Sequence, residues 1–170
     1  MILSNLIIIL SFIVAMIAIF YDLKYRIIPN FITIPCIIFG IGIHTISSGM
    51  AGFYSSFLSF LIGSGFLIIF YLLGGLGAGD VKLMGGVGAL VGLEMMGPVL
   101  IFTAFIGGVM ALGKIISIQL LKIFKNFTDN KYTNMKQKFN FNQQINPMKT
   151  TIPYGVAIGL ATLMSIILYN

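Results

Sequence analysis

The chain has 170 residues, of which 58% are hydrophobic and only 8% are charged. A soluble domain carries about 25% charged residues, so this composition excludes an ordinary soluble protein. It predicts an all-α polytopic membrane protein. The formal net charge is +6, but no folded basic domain accompanies the cationic residues, so we expect contact with membrane lipids and no nucleic-acid partner.

Apolar runs predict about six transmembrane helices in a single membrane-embedded domain, residues 1–170. The runs lie near 2–20, 31–46, 53–73, 81–97, 97–121 and 152–169. A helix needs roughly 20 apolar residues to cross the hydrocarbon, with a lower limit of about 17. The fourth run is the weakest, because Glu94 follows the apolar residues 81–93, and five spans are the alternative. No basic residue precedes the first run, so we expect a retained helix and not a signal peptide.

The basic residues lie on alternate connections of a six-span arrangement. Lys24 and Arg26 lie between the first two spans, Lys82 lies at the start of the fourth, and the other lysines lie between position 114 and the last span. The opposite connections, near 47–52 and 94–96, carry none. Because Lys and Arg are retained on the cytoplasmic side, this pattern predicts six spans, both chain ends outside, and a basic cytoplasmic loop at 122–151.

Asp22 and Asp80 are two of only four acidic residues, and both fall at predicted cytoplasmic ends of spans. An ionisable group at the membrane is costly and is by default a functional hypothesis. Two neighbouring carboxyl groups cannot both ionise readily and so share a proton. Such a pair activates water and polarises a carbonyl group. The alternative is two separate ion pairs, of Asp22 with Lys24 or Arg26 and of Asp80 with Lys82.

Other chemistries of membrane proteolysis lack the residues that they need. A zinc protease requires a His-Glu-x-x-His or comparable ligand set, whereas the chain has one histidine, His44, near the far end of the second span. That position also weakens a Ser–His mechanism, and no serine is close in sequence to Lys24 or Lys82. The single cysteine, Cys36, supports neither a disulfide framework nor a zinc cluster. We therefore expect no metal ion and no other cofactor.

Proline and glycine residues surround the two aspartates. Pro29 disfavours helix at the residue before it, and Pro29 with Asn30 suits the start of the second helix. The first two spans should therefore form a tight hairpin with Asp22 near its tip. Gly77 and Gly79 precede Asp80, and glycine lets another part of the chain approach closely. Farther along, Gly88 and Gly92 have the small-xxx-small spacing that is typical of helix packing in membranes.

Three segments resemble the type IV prepilin peptidase family and occur in the order found in that family. Asp22-Leu-Lys-Tyr-Arg-Ile-Ile-Pro-Asn30 is similar to the family's Asp…Arg-x-Ile-Pro-Asn segment. Gly77-Ala-Gly-Asp-Val-Lys-Leu83 resembles its Gly-x-Gly-Asp-Val-Lys-Leu motif, and Ile152-Pro-Tyr-Gly-Val-Ala-Ile158 resembles its Pro-Tyr-Gly segment.

The resemblance implies a membrane aspartic endopeptidase. It would remove the short leader of type IV pilin-like precursors at the cytoplasmic face of the plasma membrane, usually after a glycine that precedes the pilin's hydrophobic helix. Asp22 and Asp80 would be the catalytic pair. Other motif residues would shape the site or touch the substrate: Arg26, Pro29, Asn30, Gly77, Gly79, Lys82, Pro153 and Gly155.

Family members that also N-methylate the new terminus carry an extra N-terminal domain with paired cysteines. Here the first span starts at Ile2 and Cys36 has no second cysteine. We therefore expect a peptidase without methyltransferase activity, similar to the short Flp/Tad pilus type. Two alternatives stay open, a presenilin-like intramembrane protease of broader specificity and a non-enzymatic small transporter or assembly subunit.

Overall fold

The computed structural model describes residues 2–128 and 153–169, and all of its regular structure is α-helix. The four helices are α1 (Ile2–Tyr25), α2 (Asn30–Leu72), α3 (Ala78–Thr128) and α4 (Tyr154–Tyr169). Both α2 and α3 consist of two helical segments that meet at a glycine with non-helical angles, Gly49 in α2 and Gly92 in α3. The predicted all-α class is confirmed. The helix α3 continues through 122–128, and the rest of the predicted basic loop lies outside the described residues.

Three of the four helices are long and apolar enough to cross a membrane. These stretches are Asn5–Tyr25, Asn30–Leu72 and Ala78–Ser117, while Tyr154–Leu168 forms a shorter apolar helix. Their outer faces expose many large apolar side chains, among them Ile38, Phe105 and Ile167. Exposed apolar surface on this scale is suited to lipid. The protein is therefore an all-helical membrane protein.

The two halves of α2 run in opposite directions along the first half of α3. The first half of α2 runs parallel to α3, because Thr33 lies against Gly86 and Gly40 lies against Ala89. The second half runs antiparallel, because Ser59 lies against Gly88 and Gly63 lies against Met84. The chain therefore reverses at Gly49, whose φ of 61° is readily adopted by glycine. This reversal lies within the connection predicted at 47–52.

The helix α3 breaks at Gly92, where φ is 74°. Side chains of α2 bind the backbone groups freed by the break: Ser55 Oγ accepts from Leu93 N–H at 3.1 Å, Ser56 Oγ donates to Ala89 O at 2.6 Å, and His44 Nε2 donates to Leu90 O at 2.9 Å. Buried backbone groups need such partners. The sequence suggested that Gly92 serves helix packing and that the span ends near residue 97. The helical segment ends earlier, at Gly92, because side chains of α2 supply partners for its backbone there.

The first half of α3 forms the centre of the molecule, and every position from 83 to 92 is buried. A helix that is apolar on all sides belongs in such a position. At Gly88 the helix lies directly against the backbone of Ser59 in the second half of α2. The close approach of these two helices depends on glycine at this position.

We expect Gly88→Ala to destabilise the protein. A Cβ at position 88 would lie 2.5 Å from the carbonyl oxygen of Ser59, so the helices would have to separate. Such overpacking costs about 1–3 kcal/mol. Gly65→Ala is the control, since a Cβ there meets nothing within 4 Å and alanine is favoured over glycine within helices. Thermal unfolding in detergent should give a lower midpoint for Gly88→Ala only, and equal midpoints would contradict this packing.

Candidate active site

Asp22 lies in the last turn of α1 and is only 4% exposed. Its Oδ2 accepts a hydrogen bond from Val156 N–H at 3.0 Å, and Gly155 N–H also donates to this carboxyl group. These donors belong to the first turn of α4, where backbone N–H groups have no partner within the helix and favour a negative charge. Asp22 therefore caps α4 from a different helix.

Gly155 has no room for a side chain. A Cβ at this position would lie 2.9 Å from Asp22 Oδ2 and 2.9 Å from Ile28 Cδ1. Pro153 directly precedes α4 and suits a helix start, because it has no N–H that needs a partner. The Pro-Tyr-Gly segment thus starts α4 in contact with the first aspartate.

Asp80 lies in the first turn of α3 and is 8% exposed. Its Oδ2 accepts a hydrogen bond from Gly77 N–H at 3.0 Å, while Asp80 N–H donates to Gly77 O at 3.1 Å. The bond from Gly77 N–H to the Asp80 side chain is one half of a capping box, in which the third helical residue bonds back to the residue before the helix. The glycine loop is thereby folded onto the carboxyl group.

Gly79 allows the two aspartate motifs to meet. A Cβ at position 79 would lie 3.1 Å from Ile28 Cβ and 3.2 Å from Ile28 O. The start of α3 therefore lies against the connection between α1 and α2, which follows Asp22. A larger residue at position 79 would push the two motifs apart.

Asp22 and Asp80 line the same cavity, which has a volume of about 220 Å³. The other lining residues come from the same two motifs: Arg26, Ile27, Ile28, Gly77, Ala78 and Gly79. The carboxyl groups are close enough to interact electrostatically. Water occupies about 30 Å³ per molecule, so the cavity can hold several water molecules beside the pair. This arrangement suits hydrolysis by two carboxyl groups.

Arg26 gives the connection after α1 its shape. Its φ of 53° is left-handed, and its N–H donates to Asp22 O at 3.0 Å, which ends the helix. The left-handed conformation costs a non-glycine residue roughly 1–2 kcal/mol, and such strain clusters at functional sites. The Arg26 side chain lines the cavity and lies in electrostatic range of Asp22.

The two nearby lysines are directed at groups other than the aspartates. Lys82 Nζ donates to Asn30 Oδ1 at 3.1 Å, which joins the first turns of α3 and α2. Lys24 Nζ lies 5.4 Å from the ring centroid of Phe20 and 5.2 Å from that of Tyr25. These contacts favour a shared carboxyl site over the separate ion pairs that involve Lys24 and Lys82.

We expect Lys82 and Asn30 to act as one structural unit. Lys82→Ala and Asn30→Ala should each lower stability by about 0.5–1.5 kcal/mol, the usual net value of a hydrogen bond. The double variant should be as stable as the less stable of the two single variants, because both changes remove the same bond. Thermal unfolding of the four proteins completes the cycle. Strictly additive losses would contradict the shared bond.

The structure places the predicted site residues in three groups. Asp22, Arg26, Gly77, Gly79 and Asp80 line the cavity; Pro153 and Gly155 lie at the start of α4 behind Asp22; and Lys82 is bonded to Asn30, next to Pro29 at the start of α2. Among the described residues, no group of three or more His, Cys, Asp and Glu side chains could hold a metal ion.

Tyr154 lies near the carboxylate cavity, and the sequence analysis did not single it out. Its phenol group packs directly against Gly107 in the second half of α3 and lies in electrostatic range of Asp80 in the first half. Both halves of α3 are therefore close to Tyr154, so the chain reverses direction between them, at Gly92. The available signal for Tyr154 was its place in the Pro-Tyr-Gly segment, between Pro153 and Gly155, both of which the sequence analysis named.

The model of the type IV leader peptidase family matches residues 8–112, more than half of the chain. The match includes both aspartate motifs and ends before the Pro-Tyr-Gly segment. No curated protein and no solved structure matches the chain. With helices that can cross a membrane and more than half of its length matched, the chain belongs to the type IV leader peptidase family and is a membrane protease of that general kind.

Proposed function

We propose that this protein is an aspartic endopeptidase that removes the leader from type IV pilin-like precursors. The observation that carries the proposal is the cavity shared by Asp22 and Asp80, two buried carboxyl groups from distant parts of the chain. Family membership supports leader-peptidase activity in general, and the carboxyl pair supplies the aspartic mechanism. It also favours a protease over the transporter or assembly subunit.

The two carboxyl groups act as a pair that shares one proton. The ionised carboxylate removes a proton from water, and the water oxygen attacks the carbonyl carbon of the scissile peptide bond. The protonated carboxyl group donates a hydrogen bond to the carbonyl oxygen. When the tetrahedral intermediate collapses, the C–N bond breaks and a proton passes from the pair to the leaving amine nitrogen. The pair then holds one proton again.

Backbone donors keep both carboxyl groups in position before substrate arrives. Asp22 is held by the first turn of α4 and Asp80 by Gly77 N–H. Because these groups need little reorganisation during the reaction, the site is prepared for the transition state. The role of the Pro-Tyr-Gly segment is therefore to start α4 where its N–H groups hold Asp22 in position.

The charge pattern supports a cytoplasmic active site in a six-span arrangement. The aspartates lie at the end of the bundle where α1 ends and α3 and α4 begin, and Lys24, Arg26 and Lys82 lie in the same region of the chain. The reversals at Gly49 and Gly92 lie at the opposite end. Since basic residues are retained in the cytoplasm, we assign the aspartate end to that side and the six helical segments to six spans.

The test uses the full-length protein in lipid nanodiscs with a precursor that has a short leader, a glycine and then an apolar helix. We expect one cut directly after the glycine, mapped by mass spectrometry. A precursor with leucine in place of that glycine is the control and should be cut poorly. A cut within the apolar helix would instead support the presenilin-like alternative, and an intact precursor would overturn the proposal.

A further inference from the structure

A second cavity, of about 270 Å³, lies beside the carboxylate cavity and is mainly apolar. One wall is aromatic and comes from Phe66 and Phe70 in the second half of α2. The other wall consists of small residues in the second half of α3: Ala104, Gly107, Gly108 and Ala111. Their spacing of three, one and three residues puts them on one face of the helix. Ala104 and Gly108 are exposed, so the described part of the chain leaves this face partly uncovered.

The lining of this apolar groove adjoins that of the carboxylate cavity. Leu76 lines the groove, and the next residue, Gly77, lines the carboxylate cavity. Tyr154 also lines the groove, with its phenol group in electrostatic range of Asp80. A polypeptide that lies in the groove is therefore next to Tyr154 and close to the cavity of the two aspartates.

The two ends of the groove differ in charge. Lys114 follows Ala111 by one turn on the same face of α3 and lies in electrostatic range of Arg26, which lines the carboxylate cavity. No charged residue in the described part of the chain lines the groove itself, so these two cations lie just beyond its Ala111 end. A bound chain with a polar part and an apolar part would thus place its polar part near Lys114 and Arg26.

We infer that the apolar groove binds the hydrophobic helix that follows the scissile bond of a protein substrate. In lipid, apolar surface alone does not drive association, and helices pack where small residues allow close approach. A small-residue face opposite two phenylalanines provides such a surface, and it lies close to the carboxyl pair. The inference rests on the proposed function and deepens it: Gly108 and its neighbours determine which substrate helices are accepted.

The first experiment compares Gly108→Leu with Gly113→Leu. A Cβ at either position meets nothing within 4 Å, so both positions have room where a side chain begins, but only Gly108 lines the groove. Thermal unfolding in detergent checks that both variants stay folded. In nanodiscs, Gly108→Leu should raise KM for precursor cleavage by about tenfold or more, the size of effect that a methylene group has in an apolar pocket. Its kcat should change much less, and Gly113→Leu should match the wild type. Equal KM values for both variants would overturn the inference.

The second experiment detects binding without cleavage. A photo-crosslinking benzoylphenylalanine replaces Phe70, which lines the groove, or Phe39, which is exposed elsewhere on α2, in the Asp22→Asn variant. Both positions already hold an aromatic ring, so the label adds less bulk to the groove than it would at Gly108. With the same precursor in the nanodisc, we expect crosslinks from position 70 to the apolar helix of the precursor, and few from position 39. Crosslinks to lipid alone, or equal yields at both positions, would overturn the inference. Failure of the proposed function would give a different result, because the wild-type protein would then not cleave the precursor.

Discussion

Asp22→Asn and Asp80→Asn should each abolish cleavage of a pilin-like precursor while the protein still inserts and folds. Asparagine has nearly the same shape as aspartate, but its amide group neither gains nor loses a proton near neutral pH, so the pair loses its acid–base function. General acid–base catalysis contributes about 10²- to 10⁴-fold, and we expect kcat to fall by at least the lower figure. Cleavage of the precursor in nanodiscs measures this effect.

The structure also explains why these variants should remain folded. The amide oxygen of asparagine still accepts a hydrogen bond, so Asn at position 22 can accept from Val156 N–H and Asn at position 80 from Gly77 N–H. Glu94→Gln is the control, because Glu94 is an exposed carboxylate in the cavity near the Gly92 break. Its cleavage rate should equal that of the wild type. Normal cleavage by either aspartate variant would rule out the catalytic pair.

Gly155→Ala should reduce cleavage by about 100-fold. The added Cβ would lie 2.9 Å from Asp22 Oδ2 and 3.1 Å from Asp22 Cβ, so the carboxyl group has to move. A misplacement of about 1 Å at an active site can cost about 10²-fold in rate. The loss should appear in kcat, with KM changed little, because the apolar groove is untouched.

Gly42→Ala is the matched control for this glycine. A Cβ at position 42 meets nothing within 4 Å, so the variant should cleave as fast as the wild type. Thermal unfolding in detergent separates a local effect from general unfolding, and Gly155→Ala should keep a cooperative transition. If Gly155→Ala cleaved the precursor at the wild-type rate, the contact between α4 and Asp22 would have no catalytic role.

The helix breaks show where sequence-based prediction reached its limit. The reversal at Gly49 lies within the connection predicted at 47–52. The break in α3 lies at Gly92 and not near 97, because His44, Ser55 and Ser56 bind the backbone groups around it. Glycines in a helix look alike in sequence whether they pack a neighbour or end the segment. Their neighbours in space decide between these roles.

The sequence by itself determined that this is a helical membrane protein with two unusual aspartates, because a high apolar content and very few acidic residues are visible without a structure. Its motifs also indicated the family. Only the tertiary structure decided that Asp22 and Asp80 line one cavity, that the start of α4 holds Asp22, and that Lys82 bonds to Asn30. The physical reason is that these contacts join residues far apart in the chain. Local patterns of hydropathy and charge carry no information on which helix ends meet.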